Sequence, residues 1–218
     1  MSKHHPTHDA PTSMSPNESA GIENQIIADP ELRRVRPLMQ ERCKALAHHL
    51  AGKQFARLAP TLLSDVLKDG FYAVEADEGT VWLADPGQEF LMPVFNTGPN
   101  AEQFVGRFRQ PLNEGIVSMV YASEQSFCED HIYRNKMQSG KMDQMLALLT
   151  CSMMVAPLVF AGRTRGVVSC VTLKRAEEIN DDDPPGFSGD DLQAFNALAE
   201  VAGSLIDGHL MKLCFGVE

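Results

Sequence analysis

The stretch Cys151–Lys174, CSMMVAPLVFAGRTRGVVSCVTLK, decides the fold of this chain. Two apolar runs flank a short polar turn, Ala161–Gly166, which carries two glycines with charged residues between them. Pro157 argues against a helix in the first run. β-Branched residues, which favour strands, recur in both runs: Val155, Val159, Val167, Val168, Val171 and Thr172. The stretch therefore predicts a β-hairpin whose two strands form a buried antiparallel pair.

The residues upstream of the hairpin alternate between helical and extended patterns. Helical spacing of apolar residues predicts helices at Leu58–Leu67 (ending at Gly70), Ile116–Ser123 and Met142–Leu149. Extended patterns predict strands at Thr80–Asp85, Phe90–Phe95, Phe104–Pro111 and Ser126–Ile132. The segment Phe71–Asp77 fits either another strand or the end of the first helix, and Asp77–Gly79 is predicted to be a turn.

The two ends of the chain differ in composition. Residues 1–30 are rich in Ser, Thr, Pro, Asn and His and poor in large apolar residues, which predicts a disordered tail. Residues 31–56 follow Asp29-Pro30 and show helical spacing, so they predict an N-terminal helix.

Residues 57–218 are predicted to form one domain that ends in a long amphipathic helix, starting at Ser188 or Asp190. Its apolar face is broad: Leu192, Phe195, Leu198, Val201, Ala202, Leu205, Ile206 and Leu210. The order of elements predicts the α+β class, with an antiparallel sheet and helices packed on it.

The composition argues against several classes of protein. A formal net charge of −10 at pH 7 argues against a nucleic-acid-binding surface. No apolar run is long enough to cross a bilayer, and the N-terminus lacks the pattern of a signal peptide, so we expect a cytoplasmic protein that does not associate with membranes. The five cysteines are widely spaced and include no CxxC pair, which predicts reduced thiols in that compartment.

Several short motifs together resemble the landmarks of a GAF domain. They are Pro111–Val117 (PLNEGIV), Val155–Leu158 (VAPL), Gly166–Val168 (GVV), and Phe187 followed by Asp190-Asp191-Leu192. The resemblance covers about Leu58–Leu210. It implies a central sheet between a helical layer and a ligand-facing layer of loops and short helices. It also implies a homodimer in which the first and last helices pair.

One detail of the resemblance implies an ion pair. In the cyclic-nucleotide group of GAF domains, an Asn-Lys pair ends the last strand, and a Phe and an Asp open the final helix. This chain has Leu173-Lys174, Phe187 and Asp191 at these positions. The resemblance thus implies that Lys174 and Asp191 form an ion pair that joins the strand end to the helix start. Leu173 in place of Asn argues against a cyclic nucleotide as the ligand.

A second group of the family, the free methionine sulfoxide reductases, uses cysteines for catalysis. Its cysteine and acidic positions correspond here to Arg107, Val117, Leu146, Ser169 and Val171, so none of the five matches. The remaining thiols that this chemistry could use are Cys128 and Cys151, which leaves an atypical reductase as an alternative. The mismatches lead us to expect a protein that is not an enzyme.

The candidate ligand pocket comprises seven residues: Cys128, Asp130, His131, Met142, Asp143, Met145 and Cys151. The first three belong to the segment CEDH, at the end of a predicted strand that faces the region where GAF domains hold ligands. Cys128 and His131 are metal-ligand types, but two ligands without a second pair do not complete a zinc site. We therefore predict no metal and identify no cofactor.

Together, these features predict a non-enzymatic sensory or regulatory protein. It is expected to bind a small molecule or a partner protein, which is not identified, and to pass the signal through its terminal helices. A ligand-free GAF scaffold that serves only dimerisation or docking is the alternative from a different class.

Overall fold

The computed structural model describes residues 30–49, 55, 61–178 and 180–216. These residues fall into two units, Met1–Gln40 and Glu41–Glu218. The described part of the first unit belongs to helix α1, Pro30–His49, which contains Pro37. The tail predicted for residues 1–29 and the end of the predicted N-terminal helix, 50–54 and 56, lie outside the described residues.

The second unit contains the remaining elements of the described chain. In order they are α2 (Thr61–Ala73), β1 (Glu78–Ala84), β2 (Phe90–Asn96), α3 (Ala101–Phe104), β3 (Gln110–Pro111), α4 (Ile116–Ser123), β4 (Phe127–Asp130), α5 (Lys141–Leu146), β5 (Leu148–Phe160), β6 (Arg163–Arg175) and α6 (Gly189–Phe215). Short 3₁₀ turns follow β4 at Ile132–Arg134 and β6 at Ala176–Glu178. None of the described helices combines the length and the apolar content that a bilayer crossing requires.

The strands form one six-stranded sheet in the order β3-β2-β1-β6-β5-β4, and all neighbours are antiparallel. The predicted α+β class and the predicted hairpin are confirmed. The turn of the hairpin is shorter than predicted, because Phe160 pairs with Arg163 and leaves only Ala161 and Gly162 between the strands. Both residues have positive φ, 50° and 76°, as in the two-residue turns whose twist matches that of the strands. Arg163 to Gly166 therefore belong to β6.

Each face of the sheet carries its own apolar core. On one face, α2 and α6 pack through buried side chains such as Phe71, Phe195 and Leu198. On the other face, Trp82 packs with Ile116 of α4 and with further apolar residues. Because successive side chains of a strand point to opposite faces, the long strands β5 and β6 contribute to both cores.

Helix α6 spans 27 residues and begins with a capping box, in which Ser188 and Asp191 satisfy each other's backbone N–H groups. Its buried residues include Phe195, Leu198, Ala202, Ile206 and Leu210, as predicted. Val201 was predicted to lie on the same face, but it is 47% exposed.

Helix α2 continues to Ala73, so of the two predictions for Phe71–Asp77 the end of the helix is the correct one. Gly70 does not end the helix; its missing Cβ leaves room for Leu198, whose Cδ1 would lie 2.5 Å from it. Other segments differ from the prediction. Residues 104–111 are not a continuous strand, because the chain turns at Gly106, whose φ is 71°. Helix α5 ends at Leu146 rather than Leu149, since Ala147 takes the left-handed conformation and β5 follows.

Candidate functional site

A cavity of about 80 Å³ lies between the sheet and the layer formed by α4 and α5. The strands β1, β2, β5 and β6 contribute one wall, whereas α4, α5 and the segment before α5 contribute the other. Apolar side chains make up much of the lining, among them Trp82, Phe108, Ile116, Met142 and Val171. The volume is several times the roughly 10–15 Å³ that a single water molecule needs by the same measure, so it suits a small metabolite.

The cavity has a polar group on β1 and β2 that is centred on Glu78. Asn96 Nδ2 donates to Thr80 Oγ1 at 2.9 Å and lies 3.4 Å from Glu78 Oε2. Glu78 is 8% exposed, and burial raises the pKa of its carboxyl group, with the Asn96 hydrogen bond as the opposing effect. Gly98 lies against this carboxyl group, and a Cβ at residue 98 would lie 2.0 Å from Glu78 Cδ. The missing side chain of Gly98 therefore leaves the space that the carboxyl group occupies.

A second carboxyl group, that of Asp143, enters the cavity from α5. Its two oxygens accept hydrogen bonds from the backbone N–H of Thr150 at 3.0 Å and from Thr150 Oγ1 at 2.7 Å. Burial raises the pKa of Asp143, and the bonds from Thr150 oppose this effect only in part. The bonds fix α5 against the start of β5.

Other polar groups of the lining have partners within the protein. Trp82 Nε1 donates to Ser169 Oγ at 2.9 Å, and Gln110 Nε2 donates to the backbone oxygen of Glu114 at 2.7 Å. Of the described residues that line the cavity, none is Lys or Arg. The charge within reach of a bound molecule is therefore that of Glu78 and Asp143, which favours a cationic or neutral group and disfavours an anion.

The structure places only two of the seven predicted pocket residues in this lining, Met142 and Asp143. Met145 lies on α5, is 46% exposed and does not line the cavity. Cys151 is buried in β5, where its Sγ lies 3.7 Å from the backbone oxygen of Leu149.

The segment Cys128–His131 lies beside the loop that precedes α6 instead of lining the cavity. Asp130 Oδ1 accepts a hydrogen bond from the backbone N–H of Phe187 at 3.2 Å, and Cys128 Sγ lies 3.8 Å from the oxygen of the same residue. His131 Nε2 lies 3.5 Å from Asp183 Oδ2. The segment thus holds the loop against the sheet, and the described residues contain no group of three or more metal-ligating side chains.

The predicted ion pair between Lys174 and Asp191 is not formed. Lys174 Nζ instead lies 2.5 Å from Asp183 Oδ1, and Asp183 Oδ2 also accepts a hydrogen bond from Tyr133 at 2.8 Å. The hydrogen bond between them raises the pKa of Lys174 and lowers that of Asp183. Asp191 is held by Ser188 in the capping box of α6, and these bonds lower its pKa. The prediction is wrong because the loop between β6 and α6 places Asp183, rather than Asp191, beside Lys174 at the end of the strand.

The cysteines lie outside the cavity lining. Burial raises the pKa of Cys128, Cys151 and Cys170, which disfavours their thiolate forms. Cys43 and Cys214 lie side by side, with 3.3 Å between their sulfur atoms, and burial raises the pKa of Cys43 to about 11. The register sets Cys128 opposite Met154, so the predicted pair Cys128 and Cys151 are not cross-strand partners.

Sequence reasoning missed most of the polar groups of the cavity. Glu78 and Asn96 are 18 residues apart and meet because β1 and β2 pair antiparallel. Glu78 was predicted to lie in a turn, Asp77–Gly79, but it is the first residue of β1. The two-residue period of a strand could have placed its side chain once β1 was extended to Glu78, since Glu78, Thr80 and Trp82 share one face.

Comparison with known proteins gives a consistent result for most of the chain. Residues 56–207 match the family model for the GAF domain. The fold is similar to the GAF domain of a phosphoenolpyruvate-protein phosphotransferase from Coxiella burnetii, with a TM-score of 0.58, 15% sequence identity and coverage of 82% of this chain and 94% of that one.

It is also similar to the free methionine-R-sulfoxide reductase of Neisseria meningitidis, with a TM-score of 0.53, 16% identity and coverage of 93% of this chain and 98% of that one. The GAF-B domain of DevS from Mycobacterium smegmatis gives a TM-score of 0.50 and 16% identity, with coverage of 67% of this chain and 90% of that one. A sequence search of curated proteins finds no match.

Proposed function

The chain belongs to the GAF domain family, and on that premise we propose that it is a cytoplasmic, non-enzymatic sensor that binds a small neutral or cationic molecule in the cavity beneath α4 and α5. GAF domains are in general sensory, ligand-binding or regulatory domains. The observation that carries the proposal is the cavity of about 80 Å³ with two carboxyl groups of raised pKa, Glu78 and Asp143, in its lining.

The charge of the lining argues for the class of ligand. An anionic molecule would bring a negative charge close to Glu78 and Asp143, and the described lining offers no basic side chain to balance it. A protonated amine or a guanidinium group would instead keep both carboxyl groups ionised and give charge-assisted hydrogen bonds. The same argument stands against a cyclic nucleotide, whose phosphate is anionic.

The surroundings of the cysteines support a protein without thiol chemistry. A nucleophilic thiol has to reach the substrate and form a thiolate. The described residues of the cavity lining include no cysteine, and the pKa of Cys128 and of Cys151 is raised by burial. Turnover of free methionine sulfoxide, coupled to thioredoxin and NADPH, is therefore expected to be undetectable.

The variant Val171→Phe is expected to lose ligand binding. Val171 lines the cavity from β6, so a phenyl ring in its place fills space that the ligand needs. Native mass spectrometry of the protein from its own host should show a bound small molecule in the wild type. Val171→Phe is expected to bind that molecule at least about tenfold more weakly. Ligand binding is also measured as the rise in melting temperature that a panel of amines and neutral metabolites causes in the wild type.

Val159→Phe is the matched control for that experiment, because Val159 lies on β5, outside the cavity lining, and is 51% exposed. It introduces the same change of side chain and should bind as the wild type does. If neither spectrometry nor the panel gives a bound molecule in the wild type, the proposal fails and the ligand-free docking scaffold takes its place.

We further propose that the signal leaves through the terminal helices of a homodimer. Helix α6 contacts the hairpin closely, since the backbone N–H of Ala161 donates to Asp207 Oδ1 at 2.7 Å. On its outer side, Val201, Met211 and Phe215 are exposed at helical spacing, with small residues Ser204 and Gly208 between them. A stripe of this kind suits pairing with a second helix.

The variant Val201→Asp is expected to shift the protein from dimer to monomer. A carboxylate at the middle of the exposed stripe would have to be buried without a partner, which disfavours association. Sedimentation at tens of micromolar measures the change, and Tyr72→Asp, at a position on α2 that is 85% exposed, is the matched control. A wild type that sediments as a monomer contradicts this mechanism.

A further inference from the structure

Arg165 of β6 is a buried cation whose Nε has no hydrogen-bond partner among the described residues. The residue is 8% exposed, and its Nε has no solvent contact. Within the described chain its Nε has no hydrogen-bond partner, and its carbon atom Cζ lies 5.9 Å from the centre of the Phe160 ring. The Nε–H is one of the five N–H donors of a guanidinium group, and burying it unpaired is costly. The protein therefore holds a binding group in place at an energetic cost.

A second arginine lies beside it. Arg163 and Arg165 are two residues apart on β6, and a bulge leaves Arg165 without a cross-strand partner on β5. Both line a small polar cavity with Tyr121, Asp85 and Gln88, and both line an open groove that continues past Gly162 towards Lys44. Two positive charges thus converge at the turn of the hairpin.

The acidic residues nearby have other partners. Asp85 accepts hydrogen bonds from three backbone N–H groups, those of Gly87, Glu89 and Phe90, and Asp207 accepts from Ala161. Glu41, in the open groove, is paired with Lys44 at 3.2 Å. The attraction of Asp207 for Arg165 is weaker than the repulsion by Arg163 and the effect of burial, so the pKa of Arg165 is lowered.

We propose that the turn end of the hairpin binds a small oxyanion, a phosphate or carboxylate group, through Arg165 and Arg163. Arginine matches the two oxygens of such a group with parallel N–H donors, and the groove gives the anion access from solvent. The site is separate from the ligand cavity, because Arg163 pairs with Phe160 at the turn, whereas the cavity is lined by Leu148 and Leu173 near the opposite end of the hairpin. It therefore does not depend on the function proposed for the cavity.

Two variants test the site with inorganic phosphate and with acetate as probes, in isothermal titrations at constant ionic strength. Arg165→Met keeps the length of the side chain, removes its charge, and is expected to weaken anion binding by at least about tenfold. It should also raise the melting temperature without anion, since an unpaired buried cation is gone. Arg163→Gln, at an exposed position that should fold normally, is expected to weaken binding as well.

Arg134→Gln is the control, because Arg134 also stacks on an aromatic ring, that of Tyr133, but follows β4 at the far end of the hairpin. It should bind both probes as the wild type does. Tighter binding of phosphate than of acetate identifies a phosphate group as the ligand, and the reverse order identifies a carboxylate. The proposal is overturned if the wild type binds neither probe saturably, or if both variants at the turn bind them with unchanged affinity.

Discussion

The variant Gly203→Ala is expected to lose about 2–3 kcal/mol of unfolding free energy. Gly203 is buried in the middle of α6, and a Cβ at this position would lie 2.2 Å from the backbone oxygen of Val159 in β5. The atom that the new Cβ would meet belongs to the main chain rather than to a flexible side chain, so either the helix or the strand has to move. Urea denaturation at pH 7 measures the difference, and the midpoint should fall while the slope stays the same.

Gly208→Ala on the same helix is the matched control. A Cβ at residue 208 has no atom of its own chain within 4 Å, so at concentrations at which the protein is monomeric the variant should gain about 0.5–1 kcal/mol from the better helix propensity of alanine. The same substitution is thus predicted to have opposite effects five residues apart. If both variants are stabilised, α6 does not lie as close to β5 as the structure has it.

The close contact at Gly203 bears on the proposed path of the signal. The hairpin that meets α6 at Val159 also forms part of the cavity wall through Met153 and Val171. A ligand that shifts the hairpin therefore acts on α6 through a contact between backbone atoms, which cannot absorb movement as a mobile side chain would. The hydrogen bond from Ala161 to Asp207 adds a second connection, one turn further along the helix.

The elements that follow from local sequence were predicted well. The apolar spacing of α6 and the residues of α4 gave the correct helices, and the β-branched runs around Pro157 gave the correct pair of strands. The exact turn of the hairpin was not predictable in the same way. Ala161 has to take a left-handed conformation, which its side chain disfavours, and only the pairing of Phe160 with Arg163 imposes it.

The candidate site was predicted less well, because it depends on contacts between distant parts of the chain. Asp143 was found since it lies on a helix directly before the hairpin. Glu78 was not, because its environment is set by the pairing of β1 with β2 and by the missing side chain of Gly98. The partner of Lys174 was predicted wrongly for a related reason. Asp183 lies in a loop, and the path of a loop leaves no periodic pattern in the sequence.

The variant Glu78→Gln is expected to be more stable than the wild type at neutral pH, by about 1–2 kcal/mol, while binding the ligand less well. Burial raises the pKa of Glu78 above its ordinary value of 4.5. The contribution of this group to stability is therefore fully present below pH 4.5 and is lost as the pH rises through the raised pKa, because the folded protein then holds a buried carboxylate. Glutamine keeps the shape of the side chain and cannot ionise.

The stability difference between Glu78→Gln and the wild type should accordingly be small near pH 4 and grow towards pH 7. Urea denaturation at a series of pH values measures it, with Glu89→Gln, at an exposed position outside the cavity, as the control that should follow the wild type throughout. Parallel profiles for Glu78→Gln and the wild type would contradict the raised pKa. If Glu78→Gln gains stability and loses affinity for the ligand, the charge of Glu78 serves binding at a cost in stability. The burial of this carboxylate is then favourable only when a cationic ligand pairs with it.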